Sequence, residues 1–150
     1  MTETAPSSRS RNQIIVGILL AVLATAGFLA FERWLTAPVR EAVRAYTDLI
    51  AAANRRDLDG ARALCTARYL GAHPVRLAPE GGIIGLPRNI HKNFQAWREG
   101  PEVWLCPTNR VGPVFRFVRS EGRWKFDGVV GQLMPGGRVE PMEVDDPESQ

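Results

Sequence analysis

A chain of 150 residues that spends its first thirty or so on a tail and an apolar run keeps roughly 105 to 115 for folding, enough for one hydrophobic core and not two. Apolar residues make up 45% of it, with four Trp, six Phe and two Tyr, which excludes wholesale disorder. The formal charge of +3 comes from Lys and Arg interleaved with acids, so a solvated mixed-charge surface is expected and no nucleic-acid partner.

Residues 1–12 are Ser, Thr, Arg and Pro without apolar periodicity and read as a flexible tail. Residues 13–35 read as a transmembrane anchor. Within them Ile14 to Phe31 carries no charge, and its 18 residues span about 27 Å as a helix, close to the hydrocarbon thickness of a bilayer. Trp34 lies where an interfacial aromatic belt would sit, and Glu32 with Arg33 closes the run. A cleaved signal peptide competes, with Arg9 and Arg11 as its basic start and Ala24-Thr25-Ala26 as a small-x-small site. Cleavage there would leave Gly27 to Phe31 as an apolar new terminus, so a retained single pass through membrane lipid is the expectation. Arg9 and Arg11 precede the segment while Arg33, Arg40 and Arg44 follow it, and the charges do not decide orientation. A short tail before and a long domain after is the layout of a signal anchor, which places the domain on the periplasmic or extracellular side.

The domain is expected over residues 36–134. Thr36 suits an N-cap with Pro38 in the first turn, and Val39, Val43, Tyr46, Ile50 and Ala53 follow at helical spacing. Asn54-Arg-Arg-Asp57 breaks that helix and Asp57 caps a second. Its apolar stripe is Leu58, Ala61, Leu64, Cys65 and Tyr69, stopped by Gly71 and Pro74. Val75 to Leu77 and Gly82 to Leu86 are short strands or a loop. Asn89 then suits the cap of a short helix with Ile90, Phe94 and Trp97 on one face, ended by Gly100-Pro101.

The last third predicts antiparallel sheet, with strands over Glu102–Cys106, Val111–Ser120 and Arg123–Val130. A two-residue turn at Glu121-Gly122 would set Phe117 opposite Phe126 and Arg119 opposite Trp124, with Arg116 facing Asp127 on the other side. A slip by one residue would send the two phenylalanines to opposite faces. Residues 135–150, glycine-rich and then acidic, read as a second disordered tail. The predicted class is α+β, with helices on one face of a curved antiparallel sheet.

Three stretches carry a resemblance: Val43-x-x-Tyr46; Asn54-Arg-Arg-Asp-Leu-Asp-Gly-Ala61 with Leu64; and Phe117-Val-Arg-Ser-Glu-Gly-Arg-Trp-Lys-Phe-Asp-Gly-Val-Val-Gly131. In order and spacing the chain resembles the NTF2-like superfamily, the cone-shaped α+β fold shared by nuclear transport factor 2, ketosteroid isomerases and polyketide cyclases. The likeness covers roughly Thr36 to Leu133 and lies in core and turn positions. It implies a concave sheet able to enclose a pocket. Tyr46 and Asp48 fall on different faces of the first helix, so the isomerase arrangement of a tyrosine and carboxylates in an apolar pocket is not reproduced.

The candidate site residues are few. Cys65 and Cys106 are either a helix-to-sheet disulfide, closing a loop worth about 4 kcal/mol in the chain-entropy model, or two buried thiols. His73 precedes Pro74 at a helix end, where it suits a C-terminal cation. Cysteine spacing without neighbouring histidines points away from zinc, and neither a metal nor a cofactor is implied. Gly81 to Asn89 has the glycines of an anion-cradling loop but not the Gly-Lys-Ser/Thr of a phosphate loop, and a structural turn is the better reading. Polar groups and large aromatics concentrate in Arg88, Asn89, His91, Lys92, Trp97 and Trp104, a mixture suited to protein contact, although filling the core is the better reading of the two tryptophans. The expectation is a membrane-tethered, non-enzymatic domain that binds a protein partner or a small apolar ligand. The rivals are an isomerase- or cyclase-like pocket enzyme, with a raised-pKa carboxylate in a closed cavity, and a module that dimerises through its sheet.

Overall fold

The computed structural model describes residues 8–142 and is α+β. The chain divides into two compact units at Ala37/Pro38. Helix α1 spans Ser8–Asn54, with Pro38 inside it. Thr36 is therefore not an N-cap. Its hydroxyl donates back to the carbonyl of Glu32 at 2.9 Å, a bond available only to a residue already within a helix. In the first unit every large apolar side chain from Ile14 to Leu35 is exposed, in the range 44–68%. Residues 1–7 and 143–150, which hold most of the first expected tail and the acidic end of the second, lie outside the described residues.

In the second unit the C-terminal turns of α1 bury Ala42, Ala45, Tyr46, Leu49 and Ile50, a stripe at three- and four-residue spacing. Asp57 caps α2 (Leu58–Ala63), its carboxylate accepting from the Gly60 amide at 2.8 Å. The long second helix expected through Tyr69 is instead two. After Leu64 the backbone leaves the helix to bond strand β4 (Arg123–Leu133), with Phe126 N–H donating to the Leu64 carbonyl and Thr66 N–H donating to the Phe126 carbonyl. Thr66 then caps α3 (Ala67–Ala72) through its hydroxyl. Two backbone bonds to the sheet replace the helical ones that the break gives up. In the segment before the sheet, Leu77 and Ile83 form a single antiparallel bridge, and Val75 and Ile83 are buried.

Five antiparallel strands follow in the order β1-β2-β3-β4-β5: Gln95–Glu99, Glu102–Cys106, Gly112–Ser120, Arg123–Leu133 and Val139–Pro141. The sheet is curled. The short helix expected around Phe94 and Trp97 is a strand. Gly100-Pro101 makes the two-residue turn of a hairpin rather than a helix stop, and Trp97 lies opposite Trp104. The start of the expected C-terminal tail is also ordered, because Val139–Pro141 returns along β4.

The β3–β4 hairpin has the expected turn, with Glu121 and Gly122 both at positive φ (53° and 76°) as a type I′ turn needs. Phe117 faces Phe126 and Arg119 faces Trp124. One pairing differs. Arg116 lies opposite Gly128 rather than Asp127, because the ladder shifts between Arg116 and Phe117. Gly128 carries φ +113° there, and a Cβ on it would come within 3.4 Å of the Tyr69 ring. A second shift, between Val114 and Phe115, adds to the bending of β3 and β4.

The helices pack on one face of this sheet. Val103, Leu105, Phe115, Phe117 and Phe126 meet Tyr46, Leu49, Ala61 and Cys65 in one cluster. Aromatic rings pack the middle of this cluster. Tyr46 packs on Phe115 and Phe117, with ring centroids 5.5 and 6.1 Å away, and Phe126 stands edge-on to both phenylalanines and to Tyr69.

Candidate functional site

The residues singled out from sequence separate into two places. Arg88 and Asn89 line a shallow recess of about 260 Å³ against α1, shared with Thr47, Ile50, Asn54 and Ile90. Two features hold this loop. The Tyr46 hydroxyl donates to the Pro87 carbonyl at 3.1 Å, and Arg88 pairs with Glu80 at 2.5 Å. Burial raises the Tyr46 pKa well above the ordinary phenol range, so the hydroxyl keeps its proton. The recess thus offers an amide, a guanidinium, a hydroxyl and a second amide around two isoleucines. That set suits a polar side chain on an apolar stem.

His91 and Lys92 do not enter it. The His91 amide donates to the Pro107 carbonyl at 2.7 Å, and its ring Nδ1 accepts from the Asn93 amide at 3.1 Å, so the imidazole organises a turn. Lys92 is exposed in that turn. His73 stacks on Tyr69 at 5.4 Å. Among the described residues, no group of three His, Cys, Asp or Glu is placed to hold a metal ion.

Trp97 and Trp104 stand on the sheet face away from the helices, as an edge-to-face pair 6.1 Å apart and half-buried. Beside them runs a charged network that sequence reasoning only partly found. The indole N–H of Trp104 donates to Glu102, which lies 3.8 Å from Arg116. Arg116 reaches Asp127 at 3.0 Å despite the shifted register. Asp127 also accepts from the Thr66 hydroxyl and from two nitrogens of Arg68, at 3.1 and 2.6 Å. Burial pushes the Asp127 carboxyl up, but the hydrogen bonds from Arg68 and Thr66 and the charges of Arg68 and Arg116 outweigh it. The carboxyl ends below its ordinary range. A fully satisfied carboxylate joins α3 to the sheet and is a poor proton carrier. Arg68 was missed because it is 59 residues from Asp127; only the cross-strand arithmetic of the hairpin pointed to any partner for Asp127.

The cysteines are free and buried, so the disulfide alternative is not formed. The reason lies in the alternation of β2. Leu105 faces the helices and packs in the cluster with Cys65. Cys106 faces the other way and packs with Val114, Leu133 and the two tryptophans. The sheet separates the two thiols. Burial pushes the Cys65 thiol up to about 12, against a smaller opposing effect of Lys125.

No protein-family model matches the chain, and neither a curated protein nor a solved structure matches it.

Proposed function

We propose that this chain is a single-pass, membrane-tethered binding domain of the NTF2-like type, with its folded unit outside the cytoplasm and no chemistry of its own. The observation that carries the tether is the first unit. It presents an uncharged helix from Ile14 to Phe31 whose large apolar side chains are all exposed, which water would not tolerate and lipid would. A core helix of a soluble protein would hide that surface, and cleavage after Ala26 would strand Gly27 to Phe31 in water.

Binding is favoured over catalysis by two features. Tyr46, Phe115, Phe117 and Phe126, all at 0% exposure, occupy the interior where a pocket enzyme would hold substrate. The buried acid Asp127 is ionised and fully bonded, the reverse of the raised-pKa carboxylate that proton abstraction needs. The Arg88–Asn89 recess is the surface best suited to a protein partner. A photo-crosslinking residue in place of Ile84, which is 61% exposed in the same loop, tests it in the full chain in native membranes. We expect one discrete adduct whose yield falls several-fold with Arg88→Ala. A yield unmoved by Arg88→Ala and Asn89→Ala removes the recess from the account.

A further inference from the structure

Among the described residues, strand β1 (Gln95–Glu99) closes one side of the sheet and pairs only with β2. Its two-residue turn makes Glu99↔Glu102 a hydrogen-bonded pair, and alternation then makes Trp97↔Trp104 and Gln95↔Cys106 the same. The N–H and C=O groups of Ala96 and Arg98 therefore point away from β2, to the open edge. Native sheets guard such an edge with charged side chains, proline, a bulge or a cover. Gln95-Ala-Trp-Arg-Glu99 carries the charges of Arg98 and Glu99 but no proline, and its ladder with β2 is regular.

We propose that a second copy of this chain adds to this edge, antiparallel about a two-fold axis through Trp97, joining two five-stranded sheets into one. The proposal rests on the reading of the domain as a binding domain but uses a surface separate from the Arg88–Asn89 recess. The occupant follows from self-complementarity. A two-fold axis perpendicular to the sheet pairs residues of the same parity, and outward groups must meet outward groups. Centred on Arg98, the pairing opposes Arg98 with itself, a like-charge clash. Centred on Ala96, it reaches back to Phe94, outside the strand, whose amide already donates to His91.

Centred on Trp97, the pairing uses all five residues. Ala96 and Arg98 exchange both backbone bonds with Arg98 and Ala96 of the copy, giving four hydrogen bonds. Glu99 lies opposite Gln95, so no like charges meet. The two Trp97 rings face each other in a non-hydrogen-bonded pair, where side chains approach most closely, and extend the Trp97–Trp104 contact into a row of four indoles.

The test uses the full chain in lipid nanodiscs, counting copies per disc by mass photometry, with Trp97→Cys oxidised under mild conditions and read on a non-reducing gel. We expect two copies per disc, a cross-linked dimer for Trp97→Cys, none for Ala96→Cys, and at least a ten-fold weaker dimer for Arg98→Pro, which removes an outward N–H. One copy per disc without a Trp97→Cys bridge overturns the pairing, as does a dimer that neither bridges at position 97 nor responds to Arg98→Pro. Should Arg98→Pro fail to fold, the contrast between the two cysteine variants decides. One copy per disc with the Arg88-dependent adduct intact overturns this proposal alone, whereas two copies without that adduct overturn the recess alone.

Discussion

Arg116 and Asp127 meet at 3.0 Å on the face of the sheet turned from the helices, although their backbones are not paired. The ladder shift puts Gly128 opposite Arg116, and the carboxylate of the displaced Asp127 reaches Arg116, Arg68 and the Thr66 hydroxyl together. This carboxylate ties α3 to β3 and β4. Asp127→Asn keeps the shape and removes the charge, leaving the half-buried Arg116 without its closest counter-ion. The expected loss is about 3 kcal/mol in urea unfolding, since breaking a buried pair strands the remaining charge. Arg68→Ala is expected to cost less, about 1 kcal/mol, because its side chain is 64% exposed and solvent screens it. Equal losses would show that Arg116 is indifferent to the pair.

The same carboxylate sets an acid limit. Its folded-state pKa lies below that of the unfolded chain, so its contribution is fully present above the ordinary carboxylate range. That contribution is lost as pH falls through the lowered folded value. Unfolding free energy measured from pH 6 downward should drop below about pH 4. The Asp127→Asn curve should be flatter over the same window. Parallel curves would assign the acid loss to other groups.

The packed interior makes its own prediction. Phe117→Ala removes a ring in contact with both Tyr46 and Phe126 and should cost about 3–5 kcal/mol, the usual range for a fully buried phenylalanine. A loss under about 1 kcal/mol would mean that the rings enclose free space, and with it room for a ligand.

Two thiols on opposite faces of a sheet stay reduced wherever the domain resides. Wild-type protein should migrate identically with and without reductant and should bind a thiol reagent only after unfolding. That silent background permits a test of orientation. Asp59, whose side chain is 96% exposed, can be replaced by cysteine and treated with a membrane-impermeant maleimide on intact cells. Labelling without lysis is expected; labelling only after lysis would place the domain in the cytoplasm.

Local chemistry made part of this fold legible. The Glu121-Gly122 turn and the alternation on both sides of it give the β3–β4 pairing near the turn, and Asp57 announces α2. The errors have a common cause in contacts distant along the chain. Tyr69 continues the stripe of Leu58 and Leu64, yet the helix breaks at Thr66 because the backbone of Phe126 is there to bond. Ile90, Phe94 and Trp97 are spaced like a helix face, but Trp104 across a tight turn makes Trp97 a strand residue. A ladder shift leaves no mark in composition beyond a glycine, so the route from Asp127 to Arg68 was hidden. Of the candidate residues, Arg88 and Asn89 line one recess, whereas His91 serves a turn and the tryptophans form a separate surface.

The tether is most directly tested by washing membranes that contain the full, untagged chain with alkaline carbonate, then determining the mass of the chain that sediments. The account predicts that the chain stays in the pellet at the full mass of residues 1–150 and leaves it only with detergent. Release into the carbonate supernatant, or a retained species that begins at Gly27, would contradict it.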